Sequence, residues 1–290
     1  MEVIKQQFNT VGSSFFYHHT LTTAQCNDYC IGPEAHRQYE LLYLISGRLT
    51  YLIEGRAYEV HPGDMILISP NDIHTLQVGN GTDYERMVLH FNMELLTQFL
   101  RNTNAQCPDF QWDRFAPIIP GDVCRQYGLQ ALLVALITCA EESRYKSPYA
   151  IAKTMELVMQ LDKVFATRKL SQIQPITVDP MIQRMIDFIN ANMTQPISLD
   201  EMAAHLYISK STLCHRFRAY MNVTINRYIT VKKMYYAAEL IQKGMSAAEA
   251  GLAVGYSNYT TFFYNYKQII GTYPSAGKTP GSLHRNGGEN

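Results

Sequence analysis

Between Glu40 and Phe91 the apolar positions come in short bursts. Glu40–Ile45, Leu49–Ile53, Ala57–Val60, Met65–Ile68 and Tyr84–Phe91 are rich in Leu, Ile, Val and Tyr. Most are bounded by turn formers: Ser46-Gly47, Glu54-Gly55, Pro62-Gly63-Asp64 and Ser69-Pro70-Asn71-Asp72. Short strands with turn signals at regular spacing predict an all-β sandwich or barrel. Beyond Phe91 the period changes. Apolar residues recur every three to four positions over Glu94–Arg101, Gln126–Arg144 and Tyr149–Arg168, which predicts three helices, the last two separated by Lys146-Ser147-Pro148. Leu170–Pro180, with Ser, Gln and two prolines, reads as an interdomain linker. From Met181 onward helix follows helix, each with a start signal: Ser198-Leu199-Asp200-Glu201 and Ser246-Ala247-Ala248-Glu249 fit capping boxes, and Ser209 and Ser257-Asn258 supply further caps.

This division gives an α+β chain of two domains. Residues 1–125 form a β-barrel, 126–170 a helical pair expected to dimerise, 171–179 a linker, 180–279 an all-α domain and 280–290 a tail. His18 and His19 fall in a segment expected to act as an arm over the barrel and carry no assigned role.

Charge changes the picture more than composition does. The 290 residues sum to a net charge of zero, which argues against nucleic acid at first sight. From Pro180 to Asn290, however, 11 Lys and Arg stand against 6 Asp and Glu, a surplus of 5 positive charges; the remaining 14 and 19 leave the front with 5 excess negative charges. A basic rear on an acidic front points to one nucleic-acid-binding part. The six cysteines, Cys26, Cys30, Cys107, Cys124, Cys139 and Cys214, form no zinc-finger spacing and suit a reduced, cytoplasmic protein. The N-terminus has no basic stretch followed by an apolar run, so no signal peptide is expected. The longest apolar run, Leu129–Ala140, is too short to span a bilayer.

The all-α region contains an internal repeat. Ser198 to Arg218 and Ser246 to Lys267 each consist of a capped helix of about two turns, a tight turn (Leu206–Ser209 and Val254–Ser257) and a second capped helix with an aromatic near its end, Phe217 or Tyr266. Two such units read as a tandem helix-turn-helix, in which each second helix enters the major groove. The second unit runs Ala253-Val254-Gly255-Tyr256-Ser257, then Phe262, Tyr266-Lys267, Gly271 and Pro274; the first carries Leu199, Ala203, Ser209, Leu213 and Phe217. On these residues the last third of the chain resembles the AraC/XylS family of bacterial transcription regulators. It departs from the family pattern at Lys233 (usually Arg), Asn222 (usually Gly), Gly251 (usually Ala) and Tyr264 (often basic).

The resemblance implies double-stranded DNA as partner, with Lys210, Ser211, Thr212, Cys214, His215 and Arg216 facing it from the first recognition helix. Asn258, Tyr259, Thr260, Thr261, Tyr264 and Lys267 would do so from the second. Polar side chains there would pair with base edges, and Lys and Arg mostly with phosphates.

The front resembles the cupin-like barrel that members of this family carry, on Glu40-x6-Gly47, Pro62-Gly63-Asp64 and Pro70-x3-His74. That resemblance implies a cup for a small effector such as a sugar, with His36, Glu40, Tyr43 and His74 as candidate lining residues. It also implies a homodimer and RNA polymerase as a partner. A second reading stays open: metal-binding cupins use a His-x-His-x3/4-Glu-x6-Gly segment and a later His. Glu34-Ala35-His36-x3-Glu40-x6-Gly47 with His74 is similar enough to weigh a metal-dependent cupin enzyme or metal sensor. Neither a P-loop nor a nucleophile motif is present, so a non-enzymatic, cofactor-free regulator outside the membrane is the primary expectation.

Overall fold

The computed structural model describes residues 2–9, 15–22, 30–78, 83–102, 112, 117–139, 146–167 and 177–274. The front half is β1 (Glu2–Asn9), β2 (Phe15–Thr22), β3 (Cys30–Glu34), β4 (Tyr39–Ser46), β5 (Leu49–Ile53), β6 (Arg56–Val60), β7 (Met65–Ile68), β8 (His74–Val78) and β9 (Tyr84–Phe91). Then come α1 (Met93–Asn102), β10 (Ile118–Ile119), α2 (Gly121–Gln126), α3 (Leu129–Cys139), α4 (Lys146–Ala166) and β11 (Thr177–Val178). The rear is α5 (Pro180–Ala191), α6 (Leu199–His205), α7 (Lys210–Met221), α8 (Ile225–Gln242), α9 (Ala247–Ala253) and α10 (Tyr259–Ile270).

Two antiparallel sheets face each other, ordered β1-β2-β9-β4-β7-β10 and β11-β6-β5-β8-β3. The period of two along each strand decides what each face meets. On β4, Leu42 and Leu44 point between the sheets, where they join Ile66, Ile68 and Val88 of the same sheet and Leu49, Tyr51, Ile53 and Leu76 of the other. Leu41 and Tyr43 point the opposite way, with Leu67 and Leu89, onto Leu133, Leu157 and Leu161 of α3 and α4. The outer side of the second sheet offers Leu52, with Ile73 and Ala57 beside it, to Ile182, Ile186, Phe217 and Tyr228. The molecule is therefore layered: helices, sheet, sheet, rear helices. Each fully buried Leu or Ile in these layers contributes about 1.5–3 kcal/mol, so the seam to the rear domain is an apolar contact as well as a polar one.

Several expectations shift. The segment expected to be an arm is β2, paired with both β1 and β9. The helix expected over Gln126–Arg144 is broken at Gly128, whose φ of 68° ends α2 and restarts the chain as α3. The helix expected from Tyr149 begins at Lys146 and takes Pro148 into its first turn, where proline is tolerated. The linker is not free at its end: Thr177 and Val178 pair with Ala57 and Arg56 of β6. The remainder of the expected linker (171–176) and the tail lie outside the described residues. No helix of the described residues is long and apolar enough to cross a membrane.

Candidate functional site

The rear domain is built by its caps. Asp179 accepts the amides of Met181 and Ile182 to start α5, Ser198 accepts Glu201 N, Ser209 accepts Thr212 N, Thr224 accepts Arg227 N and Asn258 accepts Thr261 N. The full reciprocal capping box forms at Ser246 and Glu249. The two turns use the left-handed region at matching places, Tyr207 with φ 58° and Gly255 with φ 78°. At Gly255 a Cβ would lie 2.4 Å from the carbonyl carbon of Gln195, so glycine is required twice over. Asn222 ends α7 at φ 54°, the conformation the family's usual glycine would take. At Gly251 a Cβ would come within 3.1 Å of the Phe262 ring, which accounts for the absence of a larger residue.

The two helices expected to read DNA are α7 and α10. Of the residues expected to meet DNA, Lys210, Ser211, Thr212, His215 and Arg216 are exposed on α7, and Tyr259, Thr260, Thr261, Tyr264 and Lys267 on α10, with Asn258 as its exposed cap. Cys214 differs: it is half-buried and packs against the first unit's core. Arg216 is held by Asp179 through Nε and Nη2, both at 3.0 Å. Burial would raise the Asp179 carboxyl, but the Met181 amide and the Arg216 guanidinium hold it below the ordinary carboxylate range. Lys210 meets Asp200 at 2.8 Å, and Lys267 lies over the Tyr273 ring with its Nζ 2.8 Å from the hydroxyl. The three expected phosphate-binding cations therefore have protein partners 37, 10 and 6 residues away, a fact no local motif announces.

The two units are fastened to each other by Lys233. Its Nζ donates to Gln195 O at 2.5 Å and to Val254 O at 2.8 Å, and burial lowers its pKa to about 8. The seam to the barrel is fastened by Glu54, whose Oε2 accepts from Lys232 at 2.7 Å and from the buried Tyr228 hydroxyl at 2.9 Å while Oε1 accepts Ile73 N. Burial and the Glu54 charge push the Tyr228 phenol well above its usual value. Tyr220 donates to Gly55 O, Tyr235 to Ala35 O, and Arg37 to Gln242.

In the barrel, three of the four residues expected to line a site converge. Glu40 is 6% exposed, and its Oε2 lies 2.9 Å from His36 Nε2 and 3.8 Å from His74 Nε2. A histidine that sequence reasoning missed, His90, completes the cluster at 3.7 Å. It stands opposite Glu40 in the β4–β9 register. Tyr51, also unforeseen, donates to Glu40 Oε1 at 3.2 Å. Burial would raise the Glu40 carboxyl; the His36 hydrogen bond and the neighbouring imidazoles outweigh that and hold it well below its ordinary range. Tyr43 does not join them. It sits on the opposite face of β4, in the helix-facing core with Cys124, whose thiol burial pushes up to about 12. Glu34 pairs with His74 by backbone register, and its side chain lies outside the described residues.

The space between the sheets is packed with side chains. Two cavities of about 340 and 320 Å³ lie instead at the seam with the rear helices, the first beside the turn at Pro70–Asp72 and the second reaching from Ile53 and Tyr58 to Leu67, Trp112 and Phe165. The first is lined by Asn71, Asp72, Asn190, Lys232, Tyr236 and Glu239 among others.

Comparison with known proteins agrees with this layout. Residues 17–161 match the model of the AraC-like ligand binding domain, and residues 202–278 match a helix-turn-helix domain. An HTH-type transcriptional regulator of Bacillus subtilis, YfiF, is 26% identical over 269 residues, 90% of this chain and 82% of its own. The lactose operon transcription activator of Staphylococcus xylosus is 29% identical over 232 residues, 79% and 80% of the two chains. Among solved structures, ToxT from Vibrio cholerae O395 aligns over 90% of this chain and 96% of its own, with 13% identity and a TM-score of 0.39.

Proposed function

The chain belongs to the AraC family of transcription regulators, with a ligand-binding front and a helix-turn-helix rear, and from that premise we propose that it reads paired half-sites in promoter DNA as a homodimer in the cytoplasm and controls RNA polymerase in response to a carbohydrate. The observation that carries the reading is the pair of capped helices α7 and α10, each presenting an exposed N-terminal turn of Ser, Thr, Asn or Tyr side chains, within a domain that holds the chain's positive surplus. His215 and Thr260 are assigned to base edges, and Lys210 to phosphate. Arg216 reaches phosphate only by giving up Asp179, so it contributes less than its position suggests.

The effector is assigned to the 340 Å³ seam cavity rather than to the middle of the barrel. Asn, Asp, Glu and Lys side chains around a tyrosine suit the hydroxyls and apolar face of a sugar. A ligand there touches both domains, so it binds one arrangement of them better than another, which is what shifts a two-state equilibrium. A relative named as a lactose operon activator supports the carbohydrate class. Dimerisation is assigned to the α3–α4 side, where Val134 and Tyr149 are exposed.

The test is selection of bound fragments from sheared genomic DNA at fixed salt, with and without a panel of sugars. Enrichment of a few sites with repeated half-sites is expected. His215→Ala and Thr260→Ala should each relax preference at one position by about 1–3 kcal/mol, and Lys210→Ala should weaken all sites evenly and lower the salt slope by about 1. Equal losses on every sequence from all three changes would remove the division of roles.

A further inference from the structure

The cluster around Glu40 has no part in the reading above, and its chemistry is specific. A neutral imidazole carries one N–H. In His36 that proton goes to Gln38 O, 2.7 Å from Nδ1; in His74 it goes to Asp72 O, 3.0 Å from Nδ1. Both rings thereby turn Nε2 toward the same carboxylate oxygen, Oε2 of Glu40. His36 Nε2 is within hydrogen-bond distance of that oxygen, at 2.9 Å, and His74 and His90 stand at 3.8 and 3.7 Å from it.

The 3.7 and 3.8 Å separations stand just above the spacing of ligands around one metal ion, and a bound ion would draw them in. Metal–ligand bonds of about 2.0–2.2 Å give a coordination polyhedron with edges of roughly 3.0–3.6 Å. The ligand atoms of His36, Glu40 and His90 all lie within 4.8 Å of one another, and His74 adjoins that group through its 3.8 Å approach to Glu40 Oε2. The rings fan out as they would around a common point: His36 meets His74 and His90 edge to face, at interplanar angles of 65° and 79°. Backbone carbonyls that fix the tautomer and aim of a ligating histidine are the usual outer support of a metal site. The His36 and His90 side chains keep 21% and 16% exposure, which leaves an entry path, while Glu40 and His74 are nearly closed off.

We propose that the barrel binds one divalent transition-metal ion through Nε2 of His36, His90 and His74 and Oε2 of Glu40. Three imidazoles and one carboxylate favour Zn²⁺, Co²⁺, Ni²⁺ or Fe²⁺. The donor set excludes Ca²⁺ and Mg²⁺, which want oxygen, and soft Cu⁺, which wants sulfur. Resting on the regulator reading, the ion also has a route to the DNA-binding domain. His36 lies between Ala35, whose carbonyl holds Tyr235 of α8, and Arg37, which holds Gln242 at the end of α8. Fixing His36 fixes the stretch of barrel that grips the helix joining the two recognition units.

The first probe is Co²⁺, added to the full chain after chelator treatment and prepared without a histidine tag, because its visible absorption reports ligand number and type. One Co²⁺ per chain, displaced by Zn²⁺, is expected. Glu40→Gln and His90→Ala should each weaken binding by at least about tenfold, and His61→Ala, an exposed histidine elsewhere on the barrel, should leave it unchanged. Circular dichroism checks folding; if His90→Ala or Glu40→Gln unfolds, His36→Gln and His74→Gln take its place with the same expectation. No Co²⁺ spectrum in the wild-type chain, or wild-type affinity in the folded ligand variants, overturns the site. The genomic selection is run on the same stripped protein: DNA recognition without metal binding removes the ion and leaves the regulator, and metal binding without DNA recognition does the reverse.

Discussion

The two helix-turn-helix units share a plan and differ in what holds them. The first is half of a larger core. Phe217, Leu213 and Tyr228 sit in one cluster with Leu52 and Ile73 of the barrel, and Arg216 and Tyr220 add polar ties to Asp179 and Gly55. The second closes on itself around Met234, Ala238, Ile241, Val254, Phe262 and Tyr266. Its turn has the glycine that a left-handed residue wants, whereas the first unit places Tyr207 there, 91% exposed. A duplicated motif has therefore become one unit that shares its core with the sensor and one unit with a core of its own, tied to the sensor through polar contacts of α8. The lesson is that sequence repeats announce local geometry, while the packing partner of each copy is decided elsewhere in the chain.

The strongest way to break this contrast is to cut each core. Phe217→Ala and Phe262→Ala should each cost about 3–5 kcal/mol. Hydrogen exchange should show the first loosening the seam amides of β5 and β6 together with α7, and the second leaving the seam protected. Exposure of the seam by Phe262→Ala would show that the second unit is not independent. Next comes the turn. Gly255→Ala meets both a left-handed backbone and the Gln195 carbonyl carbon at 2.4 Å, and should cost about 2–4 kcal/mol. Tyr207→Gly in the first unit should instead gain up to about 1 kcal/mol. Urea midpoints read both, and equal signs would end the distinction between the turns.

Lys233→Met sharpens the link between the units. Leaving the carbonyls of Gln195 and Val254 without their donor should cost about 1–3 kcal/mol near neutral pH. It should also remove a pH dependence. The folded pKa is lowered to about 8 from an ordinary 10.5. Between those values the unfolded chain holds the extra proton, so wild-type stability should rise as pH increases from about 8 to 10.5. A flat wild-type profile would contradict the burial of this ammonium. The smallest effect expected is at the caps. Ser246→Ala should cost about 1 kcal/mol and Ser198→Ala less, because Glu249 returns a 3.0 Å bond to its cap while the Ser198 cap has a single 3.4 Å contact. Thermal melts in the same buffer would rank the two.

How much of this could be read beforehand depends on the range of the signal. Caps, turns and the helices α7 and α10 are local and were legible, down to Asn222 in the left-handed region. Of the strands from Glu40 to Phe91, β4, β5, β6, β7 and β9 were legible too, from their turn residues, whereas β8 was not. The error at Tyr43 was avoidable, since residues 40 and 43 differ by an odd number and must leave a strand on opposite faces. His90 was not accessible in the same way. Its parity within Tyr84–Phe91 is plain, but its place opposite Glu40 depends on which strands pair, a contact across 50 residues of chain. The linker was misjudged because two residues of strand are too short to show a period, and the partners of Arg216 and Lys267 are matters of tertiary arrangement.

The pairing of Thr177 and Val178 with β6 also fixes a length. Val178 is the last residue held by the barrel and Asp179 caps the first helix of the rear domain, so the two domains are joined by a hinge at one residue, with no slack. Peeling that short strand away would pay out about 7 Å of chain. For the proposed dimer on half-sites one helical turn apart, about 34 Å, such an allowance from each copy would be a substantial fraction of the span, stored in two ladder residues.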